Sequence, residues 1–174
     1  AVGGARAEGR VGDVGDGAAC ACYPTKNLGA LGDGGADATP SAEVAAVVRE
    51  LRQYGWQGKY TIGRTGGVNS RLDEVQAAVL RTRLPRLDAG NARRREIVAA
   101  YVAAAPAGVR VLPAEGPDHA GHLAVLETDR RDDLVAHLTA HGIRTDVHYP
   151  VPDHRQPALA AEHPDVHLPV TDAL

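Results

Sequence analysis

The sequence predicts an α/β protein in two parts: the end of an α/β domain over residues 1–105, and a small, incomplete α+β domain over 106–174. Three observations lead there. A short apolar run, "AACACY" at 18–23, empties into a glycine-rich loop, as a strand does at a sheet edge. Long stretches with apolar residues every three or four positions follow, which is the helical period. Beyond Pro106 and Gly108 the pattern changes to strand, strand, helix, strand.

In chain order, glycines at 3, 4, 9, 12, 15 and 17 make residues 1–17 loop-like, ahead of the buried strand at 18–23. A helix over 40–54 is capped by Thr39, starts on Pro40, and aligns Val44, Val47, Val48, Leu51 and Tyr54 on one face before Gly55 stops it. Residues 55–69, spaced with glycine, read as loop. Ser70 and Asp73 pair as a cap for the next helix, whose inner face carries Leu72, Val75 and Val79. Pro85 breaks that helix and predicts a kink, beyond which 86–104 carries Leu87, Ile97, Val98 and Tyr101 inward. "VRVLP" and "HLAVLET" read as strands, and 130–141 as a helix between an Asp129 cap and a Gly142 stop. "IRTDVHYP" alternates as a strand, with Ile143, Thr145, Val147 and Tyr149 on one side and Arg144, Asp146 and His148 on the other. The last twenty residues, with prolines at 157, 164 and 169, read as extended surface chain.

A net charge of −3 and a pI near 6.2 give no bulk attraction to nucleic acid or an anionic membrane. The arginines of "ARRRE" (92–96) lie among acidic residues without interleaved aromatics, so they read as a solvated helix face. No apolar run approaches the roughly 20 residues that span a bilayer, and the expectation is a soluble, cytoplasmic protein. Cys20 and Cys22 share a strand face, too close along the chain for a relaxed disulfide, and read as buried strand residues. The paired histidines (119 and 122, 137 and 141, 148 and 154) raise a metal site, but their positions on a polar helix face or in loops suit ordinary solvated side chains better. The absence of methionine and the unfinished ends point to an excerpt of a longer chain.

The chemistry concentrates on one residue. Of nineteen basic residues only Lys26 and Lys59 are lysines. An amine can shed its proton and bond to a carbonyl, which a guanidinium does not do. Lys26 stands between a Pro-Thr turn and a glycine loop at the end of a strand, the edge where α/β proteins bind ligands. An ordinary lysine exposed by a tight turn is the plainer reading of the same residues. The glycine loop itself has neither the order of a nucleotide P-loop nor that of a dinucleotide fingerprint.

"YPTKNLGALGDGGA", followed by "GVNSRLDEVQAAVL", "LPRLDAGNARRREIVAAY" and "GIRTDVHYPVPDHRQPA", resembles the DegT and StrS group of pyridoxal-phosphate-dependent sugar aminotransferases over about residues 1–158. The resemblance implies an aspartate-aminotransferase-like (fold type I) large domain and then a small α+β domain. It also implies a homodimer with shared active sites, and transfer of an amino group, commonly from glutamate, to a nucleotide-linked keto-sugar. By position, Lys26 matches the lysine that bonds to pyridoxal phosphate and moves the proton, and its identity favours transamination over the dehydration catalysed by relatives with histidine there. Asn69 matches an asparagine that reaches the cofactor phosphate of the neighbouring subunit, and His148 and Tyr149 match a stretch near the sugar nucleotide. Arg71 follows in the Asn69 motif, where a helix-start salt bridge accounts for it equally well.

The departures are specific. Where the family usually reads Phe-Ser-Phe, this chain has Cys20, Ala21 and Cys22, so the phosphate-binding serine is missing; one such hydrogen bond contributes about 1.5–3 kcal/mol. Ala124 stands where Phe is usual. The acid for the pyridine nitrogen, the stacking aromatic and most of the phosphate cradle belong to sequence upstream of Ala1 in relatives. The expectation is weak cofactor binding and no measurable turnover by these residues alone. A degenerate, non-catalytic relative or an interaction module is the alternative.

Overall fold

The computed structural model describes residues 2–6, 9–10, 15–113, 116, 118–160 and 166–172. The chain divides into two compact units, Ala1–Thr128 and Asp129–Leu174.

The first unit opens with an antiparallel pair, β1 (Ala5–Arg6) and β2 (Gly9–Arg10). The predicted apolar strand is β3 (Ala18–Ala21). It pairs antiparallel with β4 (Gly35–Ala38) in the register Ala18 to Ala38 and Ala21 to Gly35. The lysine loop is therefore the connection of a β-hairpin, and Cys20 is half-buried rather than fully covered.

Helix α1 (Ala42–Leu51) starts two residues later than predicted, because its cap is Ser41: the Ser41 hydroxyl oxygen accepts from the Val44 N–H at 3.2 Å. Thr39 acts one step earlier, its hydroxyl accepting from the Ser41 N–H at 3.1 Å. No side chain of α1 is fully buried, and Val44 and Tyr54 remain exposed.

Residues 55–69 correct the loop expectation. They form a hairpin of β5 (Trp56–Gly58) and β6 (Thr61–Ile62), which turns through Lys59 and Tyr60. The glycines that suggested a loop allow backbones to touch: a Cβ at Gly55 would collide with the Arg64 carbonyl, and one at Gly67 with the backbone at Gly55. Tyr54, Trp56 and Tyr60 line up as an aromatic trio with centroids 5.5 and 5.3 Å apart.

Helix α2 (Glu74–Arg83) has Asp73 at its cap position without a side-chain capping bond, so the expected Ser70–Asp73 cap does not form. Pro85 shapes a 3₁₀ turn, Leu84–Arg86, and α3 (Leu87–Ala104) leaves it, as the proline predicts. Leu87, Asn91 and Val98 are the buried side chains of α3, while Ile97 and Tyr101, expected inward, are exposed. Strands β7 (Arg110–Val111) and β8 (Leu126–Glu127) pair antiparallel. Val111 meets Val98, with Ala105 and Ala124 packed around them. Residues 106–128, assigned by sequence to the small domain, thus share a compact unit with α3.

In the second unit, α4 (Arg131–Ala140) begins after Arg130, not on a side-chain cap by Asp129, and ends at Gly142 with φ +74°. The predicted strand over 143–150 is absent, and each of its side chains is exposed. Alternation needs a neighbouring strand to satisfy the backbone, and among the described residues this unit has none. The expected extended tail contains α5 (Pro157–Ala160) and α6 (Pro169–Asp172); Pro164 lies outside the described residues. Asp172 fastens α6: its carboxylate accepts from Arg155 at 2.8 and 2.9 Å and meets His154 at 3.0 Å and His167 at 2.8 Å.

Candidate active site

The loop from Cys22 to Gly34 closes on itself. The Cys22 N–H donates to the Gly34 carbonyl at 2.7 Å, and the Ala30 N–H donates to the Cys22 carbonyl at 2.8 Å. Cys22, Leu28 and Ala30 fill its interior. Burial, and secondarily the neighbouring Cys20, pushes the Cys22 thiol above its ordinary pKa, which keeps it neutral and unreactive. Pro24 sets the first turn, completed by the Lys26 N–H donating to the Tyr23 carbonyl at 2.8 Å. Gly29 is required next, because a Cβ there would stand 2.5 Å from the Pro24 carbonyl oxygen.

Helix α2 clamps the far side of the loop. Gln76 Oε1 accepts from the Leu31 N–H at 2.8 Å, and Arg83 Nη1 donates to the Gly29 carbonyl at 2.5 Å. Helix α3 holds the near side through Asn91, which is 1% exposed and accepts from Asn27 Nδ2 at 2.7 Å.

Between loop and helices lies an open cleft of about 290 Å³, lined by Lys26, Asn27, Gly29, Arg83, Arg86, Leu87, Gly90, Asn91 and Arg94. Lys26 is half-buried on this wall. Among the described residues the lining holds one amine, three guanidiniums and no carboxylate, so an anion carrying a carbonyl is the complementary ligand. That charge and that amine fit an aldehyde bearing a phosphate.

Asn69, the other predicted site residue of the first unit, is not among the residues that line the cleft. Asn69 is exposed on an isolated bridge to Gln53, and its Oδ1 accepts from Arg71 Nε at 2.8 Å. Arg71 makes that bond and lies over the Tyr54 ring, 5.7 Å from the ring centroid, with no salt bridge among the described residues. His148 and Tyr149 belong to the second unit, where both are exposed and their rings meet edge to face at 5.1 Å. Ala21 is exposed at the end of β3. No group of three or more His, Cys, Asp or Glu side chains suited to a metal occurs among the described residues. None of the described helices is long and apolar enough to cross a membrane.

Asn27, Asn91 and the cleft arginines escaped the sequence reading. One signal was available: Asn91 follows Leu87 by four positions and precedes Val98 by seven, which puts an amide on the apolar stripe of a helix. Arg94 and Arg95 also correct the solvated-face reading of "ARRRE". They are half-buried and donate to the carbonyls of His122 (3.3 Å) and His119 (3.1 Å), and only Arg93 pairs on the surface, with Glu96.

A hairpin loop presenting a lysine into a cationic cleft, followed by two helices joined at a proline, matches a known class. The chain belongs to the DegT/DnrJ/EryC1/StrS aminotransferase family, whose model matches residues 1–174. It is 49% identical over 166 residues to a dTDP-3-amino-3,4,6-trideoxy-alpha-D-glucose transaminase of Streptomyces venezuelae, covering 92% of this chain and 43% of the relative. A Micromonospora megalomicea subsp. nigra protein of the same name is 41% identical over 182 residues, covering 98% and 48%. Among solved structures, S. venezuelae DesV in complex with a ketimine intermediate superposes with a TM-score of 0.80 at 49% identity, over 90% of this chain and 43% of that one. The chain therefore spans under half the length of these relatives, and its fold is that of the corresponding part of the family's α/β structures.

Proposed function

We propose that this chain is the Lys26-bearing part of a pyridoxal-phosphate-dependent aminotransferase that acts on a nucleotide-linked keto-sugar. Glutamate is the amino donor in this reading, and the protein is a cytoplasmic homodimer with shared sites. Residues 1–105 close the cofactor domain and 106–174 contribute to the smaller α+β domain, whose first part, 106–128, packs with α3. The observation that carries the proposal is Lys26 itself, one of two lysines in the chain, on the wall of a cleft whose other charged groups among the described residues are guanidiniums.

Lys26 would hold the cofactor through its aldehyde. The bound group would supply an electron sink. Lys26, tethered on the cleft wall, would be the chain's own group able to accept a proton there and return it. Arg86 and its neighbours Arg83 and Arg94 balance the anionic charge of the ligand. Arg83 and Arg94 already donate to carbonyls, so part of their hydrogen-bonding capacity is committed. Asn69 is assigned to the phosphate of a neighbouring subunit, which agrees with its exposure. His148 and Tyr149 are assigned to the sugar-nucleotide side, and both are accessible.

The test uses the two lysines against each other. Incubation with pyridoxal phosphate, reduction with borohydride and peptide mapping should place the label on Lys26. Label on Lys59 alone, or on neither, overturns the proposal and favours the non-catalytic reading.

A further inference from the structure

The residue after the lysine uses nearly all of its hydrogen-bonding capacity. Asn27 Nδ2 donates to Asn91 Oδ1 at 2.7 Å and to the Ala120 carbonyl at 2.8 Å, while Asn27 Oδ1 faces His122 Nδ1 at 2.8 Å. With both amide hydrogens spent, Oδ1 is the acceptor, so His122 carries its proton on Nδ1. These partners lie 64, 93 and 95 residues away along the chain. Each is secured in turn. Asn91 Nδ2 donates to the Val2 carbonyl at 3.2 Å, and Arg94 donates to the His122 carbonyl at 3.3 Å. Ala120 is itself buried.

We propose that Asn27, locked to Asn91, Ala120 and His122, is the positioning residue for Lys26: it fixes the backbone from which the amine enters the cleft. This rests on the assignment of Lys26 as the reactive amine. Turns around Pro24 and Gly29 shape the loop and α2 clamps its far side, while the Asn27 amide ties the stretch that carries the lysine to α3 and to the segment before β8. Asparagine alone suits the place. Aspartate would set acceptor against acceptor at Asn91 and Ala120, and a shorter side chain would reach none of the three. His122 has a second consequence for the site, because its Nδ1 proton is what completes the Asn27 Oδ1 bond.

The experiment reads the lysine directly. Both lysines of the chain are converted to ¹³C-dimethyl-lysine with labelled formaldehyde and cyanoborohydride, which leaves each a basic amine, and their methyl relaxation is compared by NMR. In the wild type the Lys26 methyls should relax about twice as fast as those of Lys59, as expected of a side chain held by its surroundings. Asn27→Ala and His122→Leu should bring Lys26 to the Lys59 rate, and His122→Gln, which restores an N–H donor, should keep it high. Lys59 stays unchanged throughout and serves as the internal reference. Equal rates for the two lysines in the wild type, or an unaltered Lys26 rate in Asn27→Ala, overturn the proposal. If Asn27→Ala loses its helical circular dichroism, the two His122 variants decide: different Lys26 rates support the proposal and equal rates refute it. A restrained Lys26 that takes no pyridoxal phosphate would sink the cofactor assignment and leave the positioning role standing.

Discussion

Replacing Asn91 by alanine removes the side chain on which the lysine loop and α3 meet. Two hydrogen bonds disappear, one from Asn27 Nδ2 and one to the Val2 carbonyl. Neutral bonds of this kind contribute about 1 kcal/mol each. Asn27 Nδ2 keeps Ala120, so the larger cost of stranding it is avoided. The vacated space lies at a site 1% exposed, and a truncation of that size adds about 1 kcal/mol. The total is about 3 kcal/mol, which for a unit the size of Ala1–Thr128 lowers Tm by about 9–15 °C. Thermal melting followed by far-ultraviolet circular dichroism measures it. A fall of less than about 3 °C would show that the buried amide contributes little and that the reasoning about this junction is wrong.

Two further outcomes follow from the geometry. Gly29→Ala sets a methyl 2.5 Å from the Pro24 carbonyl and 3.2 Å from the Lys26 carbonyl; the chain must yield at about 1–3 kcal/mol, and borohydride labelling of Lys26 should drop relative to Lys59. In the second unit, hydrogen bonds from Arg155 hold the Asp172 carboxyl down at about 2, against the opposing effect of desolvation, with His154 adding to the depression. A depressed carboxyl stabilises the fold above its ordinary value of 3.8, and that contribution is lost as pH falls toward about 2. Acid titration of the backbone signal should show a step in that window, and Asp172→Asn should abolish it; an unchanged titration in the variant refutes the clasp.

Elements that close on themselves were legible. Helix α3 and its proline-shaped entry follow from local rules, because φ restriction and apolar spacing act within a few residues. The lysine loop was legible for the same reason: proline, lysine and glycine at fixed spacing state a turn and an amine without reference to the rest of the chain. The hairpin at Trp56–Ile62 was hidden, since glycine spacing is shared by loops and by strands that must approach closely, and only the pairing decides. Residues 143–150 failed in the opposite sense. Their alternation is sound, yet a strand is a property of two segments and no described neighbour accepts this one. Within the site, Asn27 was printed next to the lysine, but its importance lies in partners far along the chain, which no local pattern encodes. The cleft arginines were similarly concealed, because a charged helix stripe facing a loop has the same spacing as one facing water.

Trp56 is the sole tryptophan of the chain and sits half-buried between Tyr54 and Tyr60. Intrinsic emission is thereby tied to the β5–β6 hairpin, where the tyrosines are near enough to feed it by energy transfer. A melt watched through that fluorophore follows the hairpin's own fraying and is blind to loosening around Lys26, so disagreement between the optical and the backbone curves would map which region lets go first.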